Sequence, residues 1–450
     1  MDRHLAHRQR PAPNLLPALA VPGWPVHLMT NAFDVEAVID ASHGHRAASS
    51  RLRAQLGLGV SASVTVVWIV YVTASGQWGR VGDQWASAVT MIFGSFVAGS
   101  TPQGGGAVAF PVFTKILEIP SEVARTFSLT IQSVGMTAAS IGILINRRSV
   151  DLKAIAIAAP SSIVGLFVGY LFLTESDQPF GPSVLPGPYV KVTFTVIVAA
   201  MAFVTFLGYR IQLIERRVAL PDGNLRVVFL ILVCAFVGGL ASATVGSGAD
   251  VLIYLATVSM IGLSPRVGIA SSVLVMTLVS LVGMMIFAFG DGHLATQLTT
   301  DGAEVLNVGG RSVGMVDGAI AFSADEPLPE ASRFDLFGLW LAAAPVVAWG
   351  APLGSAVSSR ATDRQVVKFV IVLAAAEFIS TLVFLDELRT DPALALFGGV
   401  ILVGTLVILW FVSEHRHRLL NLPPLDVERS HTRGSVDVGP KFKRQLRGIE

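Results

Sequence analysis

Gly99-Ser100-Thr101-Pro102-Gln103-Gly104-Gly105-Gly106 breaks an otherwise apolar stretch, residues 88–117, near its middle. Ala243-Thr244-Val245-Gly246-Ser247-Gly248-Ala249-Asp250 does the same to residues 227–263. Each stretch is too long and too broken for one ordinary bilayer crossing, which takes about 20 mostly apolar residues. Eight other runs have the right size: 56–76, 124–145, 152–173, 190–209, 267–289, 337–357, 366–385 and 393–412. The way the two broken stretches thread decides the fold.

The placement of Lys and Arg answers that question, because cytoplasmic loops are enriched in both. Arg46, Arg51 and Arg53 precede the first run. Later basic segments are Arg147-Arg148 with Lys153, residues 210–226, Arg360-Arg364-Lys368, and a tail with Arg416, Arg418 and the cluster 441–447. Acidic or neutral loops lie between them at 174–187, 290–335 and 386–391. If each broken stretch crosses once, Arg147 and Arg148 fall on the opposite side from Arg53. If each enters and leaves on one side, every basic segment falls inside, with both termini. The two stretches are therefore expected to be re-entrant helical hairpins, the first from outside and the second from inside.

Composition agrees with a membrane chain. Of 450 residues 52% are hydrophobic and 14% charged, against about 25% charged in soluble proteins. Ten of the 63 charges lie in residues 1–53 and 13 in residues 414–450, leaving 40 for the 360 between; a soluble core of that size could not cover its surface with so few. The net charge of +1 and the lack of a basic stripe give no reason to expect a nucleic-acid partner. The single cysteine, Cys234, excludes an internal disulfide and reads as a buried, inert thiol. No signal peptide is expected, because the apolar stretch 15–21 is short and surrounded by Pro11, Pro13, Pro17 and Pro22.

An internal repeat supports the hairpins. Gly104-Gly105-Gly106-Ala107 aligns with Gly246-Ser247-Gly248-Ala249 at an offset of 142, and Ile119-Pro120-Ser121-Glu122-Val123 with Leu263-Ser264-Pro265-Arg266-Val267 at 144. Each copy continues with three spans. One hairpin plus three crossings is an odd count, so the copies lie in opposite orientations, as in many secondary transporters. The expected fold is an all-α polytopic membrane protein. It is an inverted repeat of one re-entrant hairpin plus three transmembrane helices, with an extra helix first and last. The expected divisions are a disordered cytoplasmic tail over 1–54, a transporter domain over 55–413 and a basic cytoplasmic tail over 414–450. Repeat 1 covers about 88–213 and repeat 2 about 225–388. Within the second copy the loop 290–336 is extracytoplasmic, and residues 305–322 are expected to form a small hairpin of strands.

The glycine breaks carry the candidate chemistry. Broken helices free backbone N–H groups that hydrocarbon cannot satisfy, so such backbone is found only where it is buried in protein or lines a polar cavity. A half-helix starting there turns its N–H groups and positive dipole end toward an anion. The candidate substrate-binding residues are Thr101, Gln103, Gly104, Gly105, Gly106 and Ser128 in the first copy, and Thr244, Gly246, Ser247, Gly248 and Ser272 in the second. Thr126, Thr130, Gln132, Ser271 and Thr277 are polar in the following spans and read equally well as interhelical hydrogen bonds. The bland alternative for the glycines is close helix packing. The glycine-rich tip, a proline-containing half-helix with Pro111, a turn with Pro and Val-Ala, then Thr-x-Ser, repeated once, resembles the sulfite exporter TauE/SafE family over about residues 91–385. The second tip departs from the pattern at Ser247 and Ile253. The resemblance implies movement of sulfite, organosulfonates or related small anions, driven by an ion gradient.

Charge at membrane depth is costly and marks function. Asp250 and Glu377 are the ion-coupling candidates, since protonation removes the charge. The alternatives are a helix cap for Asp250 and a hydrogen-bonded structural carboxyl for Glu377. Arg125, Arg266, Lys115 and Lys191 are expected to snorkel to the interface, although either arginine could attract an anion. All nine histidines fall outside the runs, so an intramembrane serine hydrolase has no base at depth; His43-Gly44-His45 reads as part of a basic tail. The expected protein is a plasma-membrane permease with lipid and a small anion as partners. No enzyme activity, cofactor or metal is expected, and a homodimer is among the compatible assemblies. The rivals are an uncoupled channel or uniporter and an acid-pair intramembrane enzyme built on Asp250 and Glu377.

Overall fold

A computed structural model describes residues 35–119, 121–173, 186–207, 217, 219–286, 306–308, 311–316, 319–322 and 335–421. The rest of both tails and of loops 174–187 and 290–336, with residues 210–216 and 218 of the basic segment 210–226, lies outside the described residues. Contacts divide the chain into Met1–Leu56 and Gly57–Glu450, and the second unit holds the architecture below.

The helices are α1 (Val35–Ala74), α2 (Trp78–Asp83), α3 (Trp85–Ser100), α4 (Gly106–Lys115), α5 (Ser121–Ile145), α6 (Leu152–Phe172), α7 (Gly187–Leu207) and α8 (Leu225–Val245). After them come α9 (Ala249–Tyr254), which runs on as a π-helical turn over Leu255–Met260, and α10 (Pro265–Met285). The chain ends in α11 (Leu336–Arg360), α12 (Asp363–Phe384), α13 (Glu387–Thr390) and α14 (Pro392–Leu420). Polar caps set several starts. Asp151 accepts from the Ala154 N–H ahead of α6, Asn224 from Arg226 and Val227 ahead of α8, and Thr362 with Gln365 forms a capping box for α12. Strands β1 (Leu306–Val308), β2 (Arg311–Val316) and β3 (Ala319–Phe322) form an antiparallel meander, with Val313 opposite both Leu306 and Phe322. The small hairpin expected over 305–322 is thus three-stranded.

Among the described residues nine helices are long and apolar enough to cross a membrane. Eight correspond to the runs read from the sequence, and the ninth is α8. That segment was expected to be one arm of a half-depth hairpin. It is 21 residues long because Gly238-Gly239 does not break it and the chain turns only at Gly246, which gives about 31 Å at 1.5 Å per residue. A Cβ on Gly239 would overlap the Ser162 carbonyl of α6, and one on Gly165 would overlap the Phe236 carbonyl. At this contact the glycines serve close packing. The first tail also differs from expectation: helix α1 starts at Val35, within the segment expected to be disordered. Val-Glu-Ala-Val and the later Ala, Leu and Arg residues favour a helix, and no proline follows Pro25 before Ala74. At the other end α14 continues to Leu420, beyond the expected boundary at 413.

The hairpin paths are visible in the hydrogen bonds. Helix α3 starts beside the start of α11, where Ser87 Oγ donates to the Leu339 carbonyl at 2.8 Å, and packs along it until Gly99 meets Ala351 and Ser355. Helix α4 returns, and Lys115 reaches Glu377 in the last third of α12. Helix α8 starts at the opposite end and runs along α6, with Ser162 Oγ donating to the Ala235 carbonyl at 2.9 Å. Helix α9 folds back, its Ala249 N–H donating to Ser242 Oγ at 3.2 Å, and the chain returns to where Arg217 pairs with Gly262 and Ser264. Each broken stretch therefore enters and leaves at one end, and the two use opposite ends. Arg147, Arg148, Lys153, Arg217, Arg226, Arg266 and Arg360 all lie at the end from which α8 starts: Leu220 N–H donates to Asp151, Arg266 to the Ala361 carbonyl, and Asn224 to the Leu420 carbonyl. Helices α5 and α10 are the most enclosed spans, 67% and 72% buried, whereas the first and last spans are 11% buried and lie at the periphery.

Candidate functional site

Both breaks are built by backbone that only glycine adopts cheaply. Helix α3 ends at Thr101 in extended conformation, and Gly104 (φ +67°) turns the chain into α4. Helix α8 ends at Gly246 (φ +77°), and Gly248 precedes α9. A side chain in the left-handed region costs about 1–2 kcal/mol.

The two tips cross and touch. A Cβ added to Gly104 would stand 2.6 Å from Asp250 Oδ2, 3.0 Å from Gln132 Oε1 and 3.1 Å from Ser247 Oγ. One on Gly106 would stand 2.7 Å from both Ser128 Oγ and Ser247 Cβ. Ser247 Oγ donates to the Gln103 carbonyl at 3.4 Å. Gln132 on α5 clasps the second tip: its Nε2 donates to the Gly246 carbonyl at 3.0 Å and to the Ser128 carbonyl at 2.8 Å. Gln103 Nε2 donates to the Val370 carbonyl of α12 at 3.1 Å. Gln103, Ser128, Gln132, Ser247 and Asp250 are all buried.

Three oxygens here have no hydrogen-bond partner: Gln103 Oε1, Gln132 Oε1 and Asp250 Oδ2. An amide flip does not cure this, because each Nε2 is already held by backbone carbonyls that would then face an oxygen. The other Asp250 oxygen, Oδ1, accepts the Val251 N–H at 3.0 Å. Asp250 Oδ2 and Gln132 Oε1 thus both lie beside Gly104, with the Ser247 hydroxyl next to them. Protonation of the carboxyl would relieve the cost of a buried charge.

The structure brings Gln103, Gly104, Gly106, Ser128, Gly246, Ser247 and Asp250 together. Gly105 packs instead against Met91 and Ala98, and Gly248 against Gly238 and Ala241. Thr101 Oγ1 is bonded to its own helix at Val97, Thr244 Oγ1 to Leu240 and Ala241, and Ser272 Oγ to Ile269. Thr101 Oγ1 also accepts the Gln103 N–H of the first tip at 3.3 Å, so all three hydroxyls already have partners within the chain. Glu377 lies apart from Asp250, in an ion pair with Lys115 at 2.9 Å whose side chains are only 2% and 4% exposed. Lys115 Nζ also donates to Ser380 and Thr381. Neither Lys115 nor the buried Arg125 snorkels to the surface as expected. Lys115 has a carboxylate and two hydroxyls as partners inside the protein. Gln132 was read from sequence only as a polar residue of the next span. A lone amide one turn after Ser128, in an apolar helix that follows a glycine tip, was the available signal.

A profile of the sulfite exporter TauE/SafE family matches residues 87–381, from the start of α3 to the end of the Glu377 cluster. The chain belongs to the sulfite exporter TauE/SafE family. Searches of curated proteins and of solved structures return no match. Membership makes it a membrane transporter of sulfur-containing anions, and the matched segment holds both tips and every residue named at their crossing.

Proposed function

We propose that this protein is a secondary transporter that carries sulfite, organosulfonates or related sulfur oxyanions across the plasma membrane. In this reading the anion is held at the crossed tips, and Asp250 carries the coupling proton. Two copies of one hairpin plus three spans, inverted with respect to each other, rock about that crossing. The observation that carries the reading is the meeting of Gly104, Gly106, Ser128 and Ser247 beside the unpartnered Asp250 oxygen. The gathering of basic segments at one end supports a cytoplasmic position for that end and for both termini. Glu377 is better accounted for as the partner of Lys115 than as a second proton carrier.

Labelled sulfite uptake into proteoliposomes under an imposed pH gradient tests the proposal. Accumulation above equilibrium is expected, and it separates a coupled carrier from a channel or uniporter. Asp250→Asn retains an acceptor for Val251 and removes the titratable proton. It is expected to fold, to exchange anion across the membrane, and to lose dependence on the gradient. A variant that concentrates sulfite as well as the parent refutes proton coupling at Asp250. Recovery of the label as unchanged sulfite excludes the enzyme alternative for that substrate.

A further inference from the structure

A cavity of about 410 Å³ opens at the basic end, away from the crossed tips. Arg147, Arg148, Ser264, Arg266, Ser355 and Ser358 line it, and no Asp or Glu is among the described lining residues. Its wall also includes Gly99, in the last turn of α3 before the first break. The cavity therefore borders the arm that leads to the tip.

Its lining is basic and rich in hydroxyls. Arg147 and Arg148 occupy the turn between α5 and α6, and Arg147 has a left-handed backbone (φ +49°), a conformation that side chains other than glycine adopt at a cost. Arg148 is fixed by donating to the Ser355 carbonyl and to Ser355 Oγ, the latter at 2.8 Å. Burial and the neighbouring Arg360 pull the Arg148 pKa below its ordinary value. Among the described residues Arg266 pairs with a carboxylate, Asp363, at 3.1 Å. Ser264, Arg266 and Val267 are the N-cap and first turn of the 21-residue α10, and the Ser264 side chain caps nothing, so that helix turns free N–H groups toward the cavity. Ser358 is 8% exposed and stands in the cavity lining. A hydroxyl on a wall shared with arginines can donate to a ligand with acceptor oxygens.

We infer that this cavity is an oxyanion-binding vestibule that takes a sulfite or sulfonate ion at the basic end before it passes to the tips. Only the onward passage rests on the proposed role of the tips; the binding site stands on its own residues.

The test is isothermal titration of the purified full-length protein with sodium sulfite, methanesulfonate, phosphate and chloride at low ionic strength. Arg147→Gln and Ser358→Ala are each expected to weaken sulfite and methanesulfonate binding. The loss for the arginine is about tenfold, as for a charge-assisted hydrogen bond. Arg364→Gln removes an exposed charge of the same end that does not line the cavity, and is expected to leave affinity unchanged. Equal affinity for chloride and sulfite, or equal weakening by Arg364→Gln, would show general charge screening and overturn the site. Unchanged affinity in both lining variants also overturns it. If Asp250→Asn abolishes gradient-driven uptake while the lining variants bind normally, the vestibule falls and the tips stand. If the lining variants weaken binding while Asp250→Asn still concentrates sulfite, the coupling assignment falls and the vestibule stands.

Discussion

Gly104→Ala isolates what the crossing of the tips contributes, because the chain supplies its own control. Gly104 and Gly223 have nearly the same backbone, φ +67° and +68°. A Cβ on Gly223 meets nothing within 4 Å, whereas one on Gly104 meets Asp250 Oδ2, Gln132 Oε1 and Ser247 Oγ within 3.1 Å. Alanine in either place carries the left-handed penalty, about 1–2 kcal/mol, partly offset by a stiffer unfolded chain worth about 0.4–1 kcal/mol. At Gly223 nothing more is added, so a net loss of about 1 kcal/mol is expected. At Gly104 three polar atoms must also give way, and overpacking adds about 1–3 kcal/mol. None of the three is backbone, so the fold is expected to survive while the geometry around Asp250 does not. Thermal unfolding of both variants in detergent, with sulfite uptake in proteoliposomes, measures the two consequences separately. Gly223→Ala is expected to transport normally with a small drop in midpoint, and Gly104→Ala to unfold earlier and lose most uptake. Equal midpoints for the two variants would refute the packing of the tips around Gly104. Normal uptake in Gly104→Ala would refute the role of the Asp250–Gln132 face.

Two further outcomes follow from buried contacts. Lys115→Met leaves Glu377 buried without its cation and is expected to cost about 3–5 kcal/mol, whereas Lys115→Met with Glu377→Leu recovers much of it; denaturant unfolding of the three proteins checks this, and equal stability of single and double variants would contradict a shared ion pair. Gly239→Ala sets a methyl against the Ser162 carbonyl, and because the obstacle is backbone the cost is expected to reach about 3 kcal/mol; a thermal midpoint well below that of Gly223→Ala would bear it out, and one equal to it would refute the close packing.

The apolar runs and basic segments carried most of the fold, because hydrocarbon imposes run length and Lys and Arg mark one side. The breaks at Gly104 and Gly246 were legible for the same reason, since an interrupted helix in an apolar stretch needs protein around it. Depth was not legible: Gly238-Gly239 resembles a break, and only the neighbouring Ser162 carbonyl shows it to be a packing contact. The tips hold the candidate residues read from the sequence, and the hydroxyls around them have partners within their own helices. Thr101, Thr244 and Ser272 look like ligand donors, but a hydroxyl within a helix finds its cheapest partner three or four residues back on the same helix, and each of these does so. Lys115 and Glu377 are 262 positions apart, and no local pattern connects them. The vestibule draws its walls from the turn before α6, the start of α10 and the end of α11, so no single segment could announce it.

The electrostatics of the crossing also give the coupling a sign. No ion-pair partner is recorded for Asp250 among the described residues, and its neighbours Gln132, Ser247 and Gly104 are uncharged. Helix α3 carries no charge at all, Lys115 of α4 is engaged by Glu377, and α5 contributes Arg125, whose carbonyl packs on Gly246. An oxyanion bound at the tips would then lie within several ångströms of the carboxyl. Two like charges about 5 Å apart repel by about 3 kcal/mol at an effective dielectric constant near 20, a factor of roughly a hundred in affinity. Protonation removes that repulsion, so proton and anion favour each other's binding, and linkage makes the effect reciprocal. The anion is therefore expected to bind more tightly as pH falls, and its binding to take up protons from a weak buffer. Methanesulfonate is the right probe, because it stays ionised throughout the neutral range while sulfite itself titrates. In Asp250→Asn the affinity for methanesulfonate is expected to be high and flat with pH. A parent protein whose methanesulfonate affinity does not change with pH, or a variant that keeps the parent's slope, would show that the proton is bound elsewhere.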